Sequence, residues 1–248
     1  MIKSVFLVLF FSFVALAAKL PSEIPKCDYE EHECIIERTN WVLKNKPGGI
    51  PAIKLLQFDP INIPSMSIIQ GGNSPVNIDL QFKNVKFYGL SNATVTKIVG
   101  FKNTVEQEIE LHLFSPQVSL IGPYTINGRV LVLPIQGKGE SNLTLDNINV
   151  KIHLTGKKVT KNGKDYLQTD NLKLTFVTSR AWIYLGNLFN GDKTLGPTTN
   201  EFLNENWKEI FGELQKIIEE AFSQIIQTLF NNVFAALPYH SVFKDGSA

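Results

Sequence analysis

Two cysteines and four histidines are the residues of this 248-residue chain whose types invite covalent, catalytic or metal chemistry. Cys27 and Cys34 have six residues between them, and in an oxidising compartment they pair as a disulfide. So short a loop contributes about 2 kcal/mol, too little to be the sole basis of a fold. His32, His112, His153 and His240 are scattered, and two cysteines without a second pair do not make a zinc site, so no metal is expected. His112 and His153 fall on the polar faces of alternating segments, where a solvated histidine is the simpler reading than a catalytic base. The sequence has no G-x-S-x-G, P-loop, H-E-x-x-H or dinucleotide fingerprint, and its many acidic residues single out no pair. Gly137-Lys138-Gly139 reads as a strand turn. The chain is therefore expected to be neither an enzyme nor a cofactor protein. Asn92-Ala93-Thr94 and Asn142-Leu143-Thr144 fit the glycosylation pattern and, if used, put both stretches at the surface.

The address is at the N-terminus. Lys3 precedes an apolar run from Val5 to Ala18, broken only by Ser12 and ending in Ala15, Ala17 and Ala18. That is the pattern of a signal peptide over residues 1–18, and the run is shorter than the roughly 20 residues needed to span a bilayer. No later segment is both long and uncharged enough to span, so a secreted, extracellular protein is expected, without stable membrane insertion. The 24 Lys and Arg against 23 Asp and Glu give a formal charge of +1, and loss of Lys3 with the leader brings the balance to zero. Such a surface supplies no field for phosphate backbones, which excludes nucleic acid as a partner. With 44% hydrophobic and 19% charged residues the chain can bury a sizeable core, as one elongated unit or two small ones.

Three kinds of element must position whatever the core holds. Asp28 with Glu31 makes a capping box for a short helix through Ile35, Ile36, Trp41 and Leu43, which stops at Lys46-Pro47-Gly48-Gly49. From about 60 to 188 the apolar period is two. Val76, Ile78, Leu80 and Phe82 alternate with polar residues, as do Ile109, Leu111 and Leu113, and the pattern continues through Ile126 to Ile135, Ile148 to Leu154, and Leu172 to Phe176. Asn162-Gly163 signals a tight hairpin, and the phase slips at Asn84, predicting a bulge or a bend. The C-terminal part returns to a period near 3.6. It opens with Thr198 and Glu201 as a capping box, ends at Pro238, and carries a wide apolar stripe over a length of roughly 55 Å. Gly212 within it costs about 1 kcal/mol relative to Ala. A coiled coil needs a narrower seam with charged flanks, and a membrane-surface helix needs a basic polar face. This one carries Glu209, Glu213, Glu219 and Glu220 against Lys208 and Lys216, so packing inside a curved sheet is expected.

With these elements in place the chain resembles the takeout and juvenile hormone binding protein family of insects. The resemblance is carried by Cys27-x6-Cys34, Gly48-Gly49-Ile50-Pro51 followed by Asp59-Pro60, Phe82-Lys83-Asn84-Val85 leading to Gly89-Leu90, residues 128–139 with their Leu133-Pro134-Ile135 core, and Phe202 to Trp207. It implies an α+β fold, with a highly curved antiparallel β-sheet wrapped around a long C-terminal α-helix, elongated and holding an internal hydrophobic tunnel, as a single domain over 19–248. The resemblance, with the alternation, makes the tunnel-lining candidates Leu56, Ile78, Leu80, Phe82, Leu111, Leu113, Val150, Ile152, Leu154, Phe176, Phe211, Leu214, Ile218 and Phe222. Juvenile hormone binders carry a second disulfide that this chain cannot make. Where they present tyrosines this sequence reads Val150-Lys151-Ile152-His153-Leu154, and Leu56 stands for their pocket tryptophan, so the takeout branch fits better. The implied function is a secreted carrier of a small lipophilic ligand such as a fatty acid, a terpenoid or a juvenile-hormone-like lipid, linked to circadian, feeding or chemosensory behaviour. The rival is a secreted protein-interaction or receptor-binding factor whose cavity is structural.

Overall fold

The computed structural model describes residues 18–244, so the leader expected over 1–18 lies, but for Ala18, outside the described residues. Ten elements follow in chain order: α1 (His32–Asn45), β1 (Ile61–Gln70), β2 (Val76–Tyr88), β3 (Thr94–Val99), β4 (Gln107–Val130), β5 (Leu133–Lys161), β6 (Lys164–Val177), β7 (Arg180–Leu185), α2 (Leu195–Glu205) and α3 (Trp207–Ala236), with short 3-10 turns between some of them. The seven strands form one antiparallel sheet in the order β1-β2-β4-β5-β6, with β3 added to β4 and β7 to β5. The expected α+β class, a sheet wrapped on a C-terminal helix, is what the chain adopts.

The β4–β5 hairpin is the spine. Its 24- and 29-residue strands stay in register from Gln107 opposite Gly156 to Val130 opposite Leu133. Each of these long strands therefore serves two neighbours at different heights. On β4, residues 110–114 pair with β3 and 119–130 with β2; on β5, 141–146 pair with β7 and 149–161 with β6. The sheet bends where its register slips, between Phe82 and Lys86, at the predicted bulge, with Asn84 at φ 52°. Asn162 and Gly163, both with positive φ, make the predicted two-residue turn between β5 and β6. Two motifs distant in sequence meet at the bend: the Asp59 carboxylate accepts the backbone N–H of Gly89 (3.2 Å) and of Ser91 (2.8 Å), and the Ser91 hydroxyl. Gly89 is required there, since φ is 104° and a Cβ would stand 2.4 Å from the Gln117 carbonyl oxygen.

Some local expectations change. The segment from Ile126 to Ile135 is two strands, turned at Leu131 (φ 54°) and Val132. Gly137 and Gly139 lie inside β5 rather than in a turn, and their missing side chains let Leu188 and the Gly186 backbone approach the strand. The first helix begins at His32, and Asp28 bonds Glu31 through its backbone, its N–H donating to Glu31 Oε2 (2.8 Å) and its carbonyl accepting the Glu31 N–H (3.3 Å). The long C-terminal helix is two helices. The first starts at Leu195, not Thr198, because Asp192 Oδ1 accepts the N–H groups of Thr194 and Leu195, which holds that carboxyl below its usual range. The break at Asn206 leaves 30 residues in α3, about 45 Å.

The edges at β6, β7 and β3 are paired with helix side chains. Along α3, Gln215, Glu219, Ser223, Gln227 and Asn231 recur every four residues and meet the edge of β6. Gln215 Nε2 donates to the Phe176 carbonyl (2.7 Å), Glu219 Oε1 accepts the Phe176 N–H (3.1 Å), and Ser223 Oγ the Leu174 N–H (2.9 Å). Gln227 Nε2 donates to the Thr169 carbonyl (3.0 Å), and Asn231 Oδ1 accepts both the N–H and the hydroxyl of Thr169, each at 2.8 Å. On α2, Asn200 closes a two-bond ring with the backbone of Leu185 and Asn204 does the same with Ile183 on β7. On α1, Asn40 repeats it with Val95 on β3.

Charged side chains occupy the outer face. Glu110 is held by Lys151 (2.8 Å), His112 (2.8 Å) and Lys97 (3.1 Å), and these hydrogen bonds, Lys151 first, draw its carboxyl down to about 2.

Asn204→Ala is expected to lower stability by about 2 kcal/mol, since both the N–H and the C=O of Ile183 lose their partner, read as a lower urea midpoint at unchanged slope. Glu110 has a lowered folded pKa, so its stabilisation is complete above its ordinary value of 4.5 and disappears as the pH falls toward 2. Thermal melts of Glu110→Gln and the parent protein should therefore differ at neutral pH and converge between pH 4.5 and 2.

Candidate functional site

Burial gathers the interior into two large apolar clusters and a small third one of Ile24, Ile50, Ile53 and Leu237. One large cluster is built from β1, β2, the turn end of β4–β5, β7, α2 and the first half of α3; the other from β3, the open end of β4–β5, β6, α1 and the second half of α3. The first cluster is not filled. It surrounds a cavity of about 140 Å³. Period-two alternation supplies its walls: Met66 and Ile68 from β1, Ile78, Leu80, Phe82 and Phe87 from β2, Val118, Leu120, Ile126 and Val130 from β4, and Ile135, Leu143 and Leu145 from β5. Ala181, Ile183 and Leu185 of β7 add a third wall, flanked by Trp182. Leu203 of α2 and Ile210, Phe211, Leu214, Ile218 and Phe222 of α3 form the roof.

Every lining side chain is hydrocarbon or aromatic except for the Met66 thioether and the indole N–H of Trp182, which donates to Asp146 Oδ2 at 2.7 Å. Tyr124, buried in the same cluster, donates its hydroxyl to the Gly186 carbonyl at 2.9 Å, and burial raises the phenol to about 12. An engineered apolar cavity of roughly 150 Å³ stays dry and takes up benzene, so a space of this size and character favours a small apolar guest over water.

Seven of the residues expected to line the interior surround this cavity: Ile78, Leu80, Phe82, Phe211, Leu214, Ile218 and Phe222. The others do not. Leu111, Ile152, Leu154 and Phe176 are buried in the second cluster, with Leu113 and Val150 packed against it. That cluster is closed by Tyr239, whose hydroxyl donates to the Lys102 carbonyl and accepts from Gln107 Nε2, both at 2.7 Å, while burial pushes the phenol up. Leu56 is outside both. It lies in the irregular segment after the Pro51–Ile53 turn and is 52% exposed, so its position in that family's motif does not put it in the cavity. The β4 and β7 walls escaped the sequence reading, although Ala181, Ile183 and Leu185 alternate with Arg180, Trp182 and Tyr184. Gly122 and Pro123 interrupt the signal in β4.

No catalytic constellation emerges among the described residues. His112 pairs with Glu110 and His153 with Glu108, each at 2.8 Å on the outer face of the sheet. Among the described residues, Cys27, Glu31 and Cys34 are the one group near enough to hold an ion, and the two sulfurs are joined in a disulfide. No described helix is long and apolar enough to cross a membrane.

Comparison with known proteins agrees with this geometry. The family model described as haemolymph juvenile hormone binding protein matches residues 5–244. Two curated relatives named circadian clock-controlled protein daywake are 27% identical (Drosophila yakuba) and 26% identical (Drosophila melanogaster). Each alignment spans 229 residues, 90% of this chain and 88% of the relative. The crystal structure of Takeout 1 from Epiphyas postvittana superposes with a TM-score of 0.77 at 26% identity, covering 89% of this chain and 99% of that one. A sheet wrapped on a helix, an apolar cavity between them and a match over nearly the whole length together place the chain in the haemolymph juvenile hormone binding protein family, alongside takeout.

Proposed function

We propose that this protein is a secreted, non-enzymatic carrier of a small lipophilic molecule in extracellular fluid, and that the cavity beneath α3 is where the ligand sits. The observation that carries the reading is the lining. A space walled by more than twenty side chains, none offering an unpaired hydrogen-bonding group, gains about 0.8 kcal/mol for each methylene it takes from water. Such a site selects by shape and length rather than by a polar head. A fatty-acyl, terpenoid or juvenile-hormone-like chain fits that chemistry.

The leader pattern over 1–18 supports secretion, and the Cys27–Cys34 disulfide suits an oxidising compartment. Asn92 and Asn142 are both exposed, as glycan attachment requires, and we assign both as glycosylation sites. The curated relatives named for clock control support a role in rhythmic behaviour.

The direct test is organic extraction of protein purified from a eukaryotic secretion host, with mass spectrometry against a blank purification. A stoichiometric lipophile is expected; an empty extract that stays empty after incubation with mixed lipids would refute the carrier. Filling the space should remove the activity without removing the fold. Leu120→Phe and Leu214→Phe are expected to weaken uptake of an apolar fluorescent probe by at least about tenfold, the equivalent of two methylenes, with the melting temperature held or raised.

A further inference from the structure

We propose that Phe87 and Phe222 form a partition that ends the ligand cavity and thereby sets the longest chain the protein accepts. The proposal rests on the carrier reading and adds to it the length of the ligand and the residues that decide it. The two rings lie 4.8 Å apart between centroids, at 53° to one another. Both line the cavity, and both also pack against the second cluster, so they stand at the boundary between the two.

Behind them the second cluster begins. Ile109 and Leu154 are fully buried, and Ile226, Phe230 and Phe234 continue the α3 face into that packing. Beside the pair, Phe211 of the cavity meets Phe176 of the second cluster edge to face at 5.6 Å, which closes the same boundary from the β6 side. The cavity is therefore blind at this end. Its occupant is a compact hydrocarbon group whose polar atoms, if any, stay outside the apolar lining, because no side chain within can pair with them.

Phe87 and Phe222 are also the part of the boundary that a substitution can move. Both are only partly buried, and neither ring has a polar atom to hold it. Phe87 follows the bulge in β2, where the ladder to β4 is interrupted. Removing either ring extends the cavity toward the second cluster instead of widening it elsewhere.

Straight-chain alcohols from butanol to dodecanol, competing with a phenylnaphthylamine probe, test this. In the parent protein affinity should rise up to about fourfold per added methylene and then stop rising at one chain length. In Phe222→Ala and in Phe87→Leu that break should move to longer chains. Phe230→Ala, which removes a ring from the second cluster 5.7 Å from Phe234, should leave it unchanged. A break at the same length in parent, Phe222→Ala and Phe87→Leu overturns the partition while leaving the carrier intact, and so does a break that Phe230→Ala moves as far. Absence of probe uptake and of displacement in the parent protein overturns the carrier reading itself. Phe222→Leu carries the same expectation at lower risk to folding, and circular dichroism melts identify any variant that has lost its structure.

Discussion

An open sheet that curls around a helix leaves backbone N–H and C=O groups along its edges, and in this chain the helices supply partners for those of β6, β7 and β3. Five α3 side chains, from Gln215 to Asn231, do for β6 what a neighbouring strand would do. Their spacing has a geometric consequence. A residue every four positions on a helix of 3.6 residues per turn advances by about 40° at each step, so the strand that follows them must wind around the helix. The same bonds fix the rotation of α3. With 215, 219 and 223 turned to the strand edge, 210, 214, 218 and 222 face the interior, and the roof of the cavity is determined by polar residues that do not touch it. The paired asparagines on α2 and the single one on α1 anchor β7 and β3 in the same way, and they blunt edges that would otherwise recruit a second chain.

The two halves of the interior differ in what their inward side chains can fill. In the second half, α1 and the C-terminal segment add a further layer. Tyr29, Tyr239 and Phe243 cluster with ring centroids 4.3 to 6.4 Å apart, and the Cys27–Cys34 disulfide ties the N-terminal arm to α1. The first half has α2 beside β7, and there a cavity lies between the sheet and α3. Dispersion contacts are missing along those walls, a state that is unfavourable empty and improved by a guest.

Much of this was legible in the sequence because it is local. Strand alternation, the Asn162-Gly163 turn, the phase slip at Asn84 and the 3.6 period of the last segment each reflect the geometry of a few neighbouring residues. The failures are long-range. Leu111, Ile152 and Leu154 alternate as regularly as Ile78 and Leu80, and nothing in a strand's own period distinguishes a residue facing a cavity from one facing packed core. The α3 polar stripe reads as a solvated face, and only the β6 edge beside it turns Glu219 and Gln227 into structural partners. Leu56 belongs to an irregular segment, where periodicity says nothing about direction. The break at Asn206 interrupts an apolar pattern that runs through it without a change of phase.

The central claim is physical: the curled sheet and α3 enclose a dry, preformed apolar space. A crystal of the delipidated protein under xenon pressure measures that directly. Ordered xenon between Leu80, Leu120 and Leu214, with no water density there before pressurisation, is the predicted result. Water in that space, or side chains collapsed across it so that no xenon enters, would contradict the account.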